Sequence, residues 1–312
     1  MNENQTLTIK TEDLTKKYGD NTVVESLNLS ISEGEIFGLL GPNGSGKTTI
    51  ILMLLGLTEP TSGSLNVLGF DPVKQPFEVK KMVGYLPEKI GFYETLTAEQ
   101  NLRYFGRLNR IEEDIITKRI DETLTQVGLG SNKQGKVNTF SRGMKQRLGI
   151  ANVLIKDPKL IILDEPTQGI DPKGIQEILD LFQSINKEKN TTIMLSSHLI
   201  HHVQQICDNI GIMSKGIMRV RGSVNLNELN LDEEWVIEFS SNDITSSIFE
   251  KIEHMDEVRS IEADGTLYRA NCSADIRPKI VKTIIQNGGS LLTLTLQERN
   301  LISIYKEYSE EK

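Results

Sequence analysis

The 312-residue chain is short of everything that would mark a membrane protein, a disulfide scaffold or a nucleic-acid binder. Its longest apolar runs, "IILMLLGL" and "LIIL", fall well below the roughly 20 residues needed to cross a bilayer. Its two cysteines, Cys207 and Cys272, are far apart and lack metal-ligand spacing, so free thiols are expected. The opening segment, "MNENQTLTIKTEDL", lacks the basic and apolar regions of a signal peptide, which predicts a cytoplasmic protein. Positive charge is missing where a nucleic acid would want it. The net charge of −8 falls within residues 225–312, which hold 17 acidic and 9 basic residues; the part before is balanced, with 26 of each. A neutral body with an acidic tail argues against nucleic acid as a partner. What remains, 38% hydrophobic and 25% charged, suits one large or two ordinary globular domains.

The apolar pattern changes along the chain. "LTIKTEDLTKKYG", "TVVESLNLSISEGE" and "IFGLLGPNG" read as strands, the third buried, and "TIILMLLGL" as a helix ending at Gly56. From about Thr97 to Gly128 apolar residues recur at helical spacing. "LIIL" reads as a buried parallel strand ending at Asp164, and "KGIQEILDLFQSINKEK", "TTIMLSSH" and "LIHHVQQICD" as helix, strand and helix. After Gly222 the order is strand, helix, two strands around an Asp264-Gly265 turn, helix, strand, then a last helix in "ERNLISIYKEYSEEK". This βαββαβ order predicts a small α+β, ferredoxin-like domain over 225–312.

Chemistry concentrates in the first part. "GPNGSGKT", Gly41 to Thr48, fits G-x-x-x-x-G-K-[ST] between a buried strand and a helix. Glycines let backbone N–H groups close around phosphates. Lys47 supplies a point charge for the β and γ phosphates, the Thr48 hydroxyl a ligand for Mg²⁺, and the helix N-terminus its dipole. A plain glycine turn has no need of Lys-Thr in the helix mouth. Asp164 ends an apolar strand, where it can hold Mg²⁺, and the neighbouring Glu165 can orient and polarise an attacking water. The predicted fold is thus an α/β P-loop NTPase.

The order of segments is more specific than the loop alone. The phosphate loop, a helical insertion, "FSRGMKQR", "LIILDEPTQGID" and "TTIMLSSH" together resemble the nucleotide-binding domain of ATP-binding cassette (ABC) transporters over about residues 7 to 222. The resemblance implies a cassette at 1–224 with a helical subdomain at about 90–155. It implies that Gly41, Pro42, Asn43, Gly44, Ser45, Gly46, Lys47, Thr48 and Thr49 wrap the phosphates, and that Tyr18 stacks on adenine. Glu165 would be the general base, His198 its γ-phosphate-side partner, and Asp171 part of a loop reaching a second subunit. "FSRGM" resembles the signature LSGGQ: Ser141 and Gly143 match, whereas Phe140, Arg142 and Met144 depart. In the family this motif closes on ATP held by the other subunit, which implies two ATP in a head-to-tail homodimer. His201 and His202 read as ordinary helix positions, since no acid or cysteine completes a metal-ligand set.

Glu88 stands where many cassettes have glutamine, and "GYLPE" resembles the branch paired with ABC-2-type permeases. Glu88 is then a metal-side acceptor, and Ile90 to Leu96, with Phe92 and Tyr93, would lie near the permease-docking groove. The resemblance therefore implies an ATPase on the inner face of the membrane, driving a separate permease, more in keeping with export than import. The other readings fit less well. A translation or repair ATPase would carry a second cassette or a long coiled coil, and a switch GTPase would need N-K-x-D; none occurs in the chain.

Overall fold

The computed structural model describes residues 6–224 and 235–297, with Leu301 and Tyr305 beyond. The helix expected in "ERNLISIYKEYSEEK" otherwise lies outside the described residues. The chain divides into two compact units, the first reaching Val224.

The first unit begins with a long antiparallel pair, β1 (Leu7–Tyr18) and β2 (Asn21–Ser32). β4 (Ser62–Val67) joins the other side of β1, giving a three-stranded sheet ordered β2-β1-β4. A second sheet has six strands in the order β5-β6-β7-β3-β8-β9. These are β3 (Ile36–Leu40), β5 (Val83–Leu86), β6 (Leu160–Asp164), β7 (Thr192–Ser197), β8 (Asn209–Ser214) and β9 (Ile217–Ser223). All neighbours are parallel except β8 and β9. Every residue of β3, β6 and β7 is buried, which explains the near-continuous apolar text of β3 and β6: a parallel strand covered on both faces has no wet side to alternate toward. One core cluster joins the two sheets through residues such as Ile9, Leu29, Phe37, Ile50, Leu54 and Ile162.

Strand register places the chemistry. Leu40 pairs with Ser197, and Asp164 pairs with Ser196. The carboxyl ends of β3, β6 and β7 therefore finish side by side, where ligands bind in open parallel sheets. The helix α1 (Lys47–Leu54) starts directly above that edge. α2 (Pro76–Met82) leads into β5; neither was evident in the sequence, nor were β8 and β9.

Three helices form the insertion. α3 (Ala98–Leu108) opens with a reciprocal capping box between Thr97 and Gln100, α4 is Glu113–Gln126, and α5 is Arg142–Leu154. Ser141 caps α5 by accepting from the Met144 N–H at 3.2 Å. Such a cap is worth about 1 kcal/mol. α6 (Pro172–Lys189) is capped by Asp171 and has proline at its start, and α7 is Ile200–Ile206.

The second unit has β10 (Trp235–Ser240), α8 (Ser246–Glu253), β11 (Val258–Asp264), β12 (Leu267–Cys272), α9 (Arg277–Gln286) and β13 (Thr293–Gln297). Its antiparallel sheet runs β11-β12-β10-β13. Ile237, Phe239, Tyr268 and Ala270 on one face pack against Ile248, Ile252, Ile280 and Ile284 of the two helices. Phe239 stacks on Tyr268 with ring centroids 5.2 Å apart. A unit this small has little stability to spare. Phe239→Ala should remove about 3–5 kcal/mol from it. Limited proteolysis should then cut within 235–297 while the part through Val224 stays intact; an unchanged digestion pattern would refute that assignment of the core.

Candidate functional site

The phosphate-loop segment turns sharply between β3 and α1. Gly46 sits at φ +104, and a methyl there would stand 2.7 Å from the Val23 carbonyl, so only glycine fits. Lys47, the first helical residue, folds back to donate from Nζ to the carbonyls of Gly41 (2.7 Å) and Pro42 (3.1 Å). Its ammonium is almost wholly buried. Burial holds it below the usual lysine range, against the opposing pull of Glu165, Asp164 and Glu88. Ser45 Oγ is buried with no hydrogen-bond partner among the described residues.

Asp164 closes the other wall. Its Oδ2 accepts from the Thr48 hydroxyl at 3.1 Å, and its Oδ1 accepts from the Ser196 hydroxyl. The next residue, Glu165, adopts φ +50, a left-handed conformation that costs a non-glycine residue about 1–3 kcal/mol. It is 8% exposed. One carboxylate oxygen lies 3.0 Å from His198 Nδ1; the other, Oε1, is buried with no hydrogen-bond partner among the described residues. Tyr85 of β5 is affected by the same charges: burial, then Asp164 and Glu88, push its phenol up to about 12, so it stays protonated.

Lys47, Asp164 and Glu165 line one cavity of about 150 Å³ together with Val23, Asn43, Gly44, Gly46, Thr48, Thr49 and Glu88. His198 reaches it through Glu165. Gly41, Pro42 and Ser45 belong to the same loop without lining the cavity, and Tyr18, Asp171, Ser141 and Gly143 stand elsewhere. Tyr18 is half exposed at the β1–β2 turn, with the Lys16 ammonium 4.7 Å from its ring centre. Asp171 caps α6 by accepting from the Gly174 N–H at 3.2 Å. Ser141 and Gly143 lie at the start of α5 and do not line the cavity. A methyl added at Gly143 would meet nothing within 4 Å, so the protomer itself gives no reason for a glycine there.

Sequence reasoning missed the supports around Glu165. Ser196 contacts both acids, since its Oγ also accepts from the Glu165 N–H at 3.3 Å. Gln146 of α5 donates to the Pro166 carbonyl at 2.8 Å, and Thr167 Oγ1 lies 3.0 Å from His202 Nδ1. Serine inside the buried text "TTIMLSSH" was the available signal, because a buried hydroxyl must find a partner.

The arrangement can hold a polyphosphate against backbone N–H groups and an ammonium, with a carboxylate free to accept a proton beside it. Comparison with known proteins agrees. The sequence profile of the family described as "ABC transporter" matches residues 24–168. The bacitracin transport ATP-binding protein BcrA of Bacillus licheniformis is 38% identical over 294 residues, covering 94% of each chain. The linearmycin resistance ATP-binding protein LnrL of Bacillus subtilis is 34% identical over 95% of this chain and 96% of its own. Among solved structures, the dimeric post-hydrolysis cassette MJ0796, bound to ADP and Pi, superposes with a TM-score of 0.63 at 26% identity, covering 69% of this chain and 98% of its own. With relatives aligned over nearly their whole length, and a phosphate loop facing paired acids across one cavity, the chain belongs to the ATP-binding subunits of ABC transporters and is an ATPase.

Proposed function

We propose that the chain is the motor of an export system, in which two copies sandwich two ATP head to tail and drive a separate ABC-2-type permease. The observation that carries this reading is the divided site. Lys47, Thr48, Asp164 and Glu165 share one cavity, whereas Ser141 and Gly143 sit outside it at a helix N-terminus suited to a phosphate. A second copy supplies the half that one protomer does not bring to its own loop. The dimeric relative bound to ADP and Pi supports the pairing. Relatives named for bacitracin transport and linearmycin resistance support export.

In hydrolysis, Lys47 transfers its ammonium from the Gly41 and Pro42 carbonyls to phosphate oxygens. Glu165 takes a proton from the attacking water on its free Oε1, while His198 holds Oε2 and so fixes the carboxylate. The Thr48 hydroxyl, Asp164 and Glu88 fit Mg²⁺, an oxygen-seeking ion that would neutralise charge on the β and γ phosphates. Ser196 keeps Asp164 oriented for that role. Tyr18, half exposed at the β1–β2 turn, offers a ring to adenine.

The permease contact falls on the segment after Glu88. Phe92 packs edge-on to Phe105, and Tyr93 to Tyr104, whose hydroxyls are 3.1 Å apart. Both tyrosines remain substantially exposed. With its permease, the cassette would sit on the inner face of the membrane; among the described residues no helix is long and apolar enough to cross one. We assign residues 1–224 to the cassette and 225–312 to a ferredoxin-like accessory domain, supported by its βαββαβ order and by a strand order that places β12 between β10 and β11.

Glu165→Gln should retain nucleotide binding, lower turnover by about 10²–10⁴ and trap an ATP-dependent dimer in size-exclusion chromatography. Full turnover with no dimer in ATP would overturn the mechanism. Ser141→Arg should leave nucleotide affinity within about twofold and reduce ATPase turnover by about 10²-fold or more. An active Ser141→Arg enzyme would remove the signature from the site.

A further inference from the structure

Arg142 is the residue at which this chain departs from its family in the middle of the signature, and the fold gives it a partner. It sits between Ser141 and Gly143 in the first turn of α5. Its guanidinium folds over the loop that follows β6, and Nη2 reaches Gln168 Oε1 at 3.3 Å. Beneath it lies Gly169, at φ +71, where an added methyl would overlap the guanidinium itself. One helical turn further on, Gln146 holds the Pro166 carbonyl of the same loop. The Gln168 N–H in turn donates to the Glu165 carbonyl at 3.2 Å. One face of α5 thus grips the loop at residues 166 and 168–169, directly after a Glu165 whose backbone is strained.

We propose that Arg142 is a positioning residue that couples the two nucleotide sites. It ties the helix start offered to the partner's γ-phosphate to the loop that sets Glu165 in its own cavity. The proposal rests on the sandwich reading given above. When Ser141 and Gly143 engage a phosphate, the helix start becomes fixed, and the guanidinium passes that order to Gln168 and Gly169. The turn closing on the Glu165 carbonyl then holds the base in its costly conformation. Lysine cannot replace this function, because only a planar guanidinium both lies flat on a glycine and reaches the amide oxygen. The contact is exposed, so its loss should barely affect folding stability. A catalytic effect without a stability effect is therefore the signature of the role.

The test uses the full chain and measures ATPase turnover, affinity for a fluorescent ATP analogue and melting temperature. Arg142→Ala should lower kcat about fivefold or more. Nucleotide affinity should stay within about twofold and the melting temperature within about 2 °C. Arg142→Lys should not restore kcat. Gly169→Ala should reproduce the loss by displacing the guanidinium, and the double variant should be no slower than the slower single. Turnover within about twofold of the parent in Arg142→Ala, or losses that multiply in the double variant, would overturn the coupling. Glu165→Gln with Arg142 intact separates the two layers of argument: no ATP-dependent dimer there overturns the sandwich, and the coupling with it.

Discussion

The site depends on one buried carboxylate being fully occupied from both sides. Asp164 ends a strand that is paired on both sides, and its side chain is almost wholly buried. A hydroxyl from α1 takes one of its oxygens and a hydroxyl from β7 takes the other. Leaving either oxygen bare would cost about 1–3 kcal/mol or more for a charged group. That requirement locks three elements together: the helix above the phosphate loop, the strand carrying the acids and the strand leading to His198. Lys47 is then buried opposite: strand register places Asp164, and the loop between β3 and α1 places the ammonium.

Glu165 is the point at which this rigid frame meets a strained segment. Its left-handed backbone is held by side chains from two directions along four consecutive residues. His198 takes Glu165 itself and His202 approaches Thr167 from the β7–α7 side, while Gln146 and Arg142 hold Pro166 and Gln168 from α5. Strain maintained by so many neighbours keeps this carboxylate preorganised instead of letting it relax toward solvent. The same grip means that anything moving the start of α5 acts on Glu165, which is the physical content of the proposed coupling.

Much of this was legible in the sequence, and the gaps have definite causes. Buried strands such as "IFGLL" and "LIILD" announce themselves by unbroken apolar text, and the phosphate loop by residues no ordinary turn requires. The second unit's element order was readable because β12 alternates cleanly and Asp264-Gly265 marks the hairpin. By contrast, β5 has only four residues and exists because β6 pairs with it far along the chain. α2 buries only Val79, too little to leave a periodic trace. His202 looked like an ordinary helix position, and nothing local distinguishes it; its partner Thr167 is 35 residues away. Arg142 could be seen as a departure but not understood, since its counterpart is a glycine whose meaning lies in the space above it.

Glu88 shows how charge reinforces the divided geometry. With Asp164 and Glu165 it places three carboxylates around a single ammonium in the same cavity. A triphosphate would add further negative charge at short range, and in a partly buried site each such repulsion amounts to several kcal/mol. The N–H groups at the start of α1 offset some of this, but they carry only partial charge. Under the proposed arrangement the balance would come from outside the protomer's own side chains, from a divalent cation and from a second helix N-terminus brought by another copy. Ser141 and Gly143 open just such a helix, at a position where Gly143 leaves room for a close approach. In that arrangement, the cation and the partner's helix start offset the surplus acid around bound nucleotide, so closure, rather than binding alone, is the committing step.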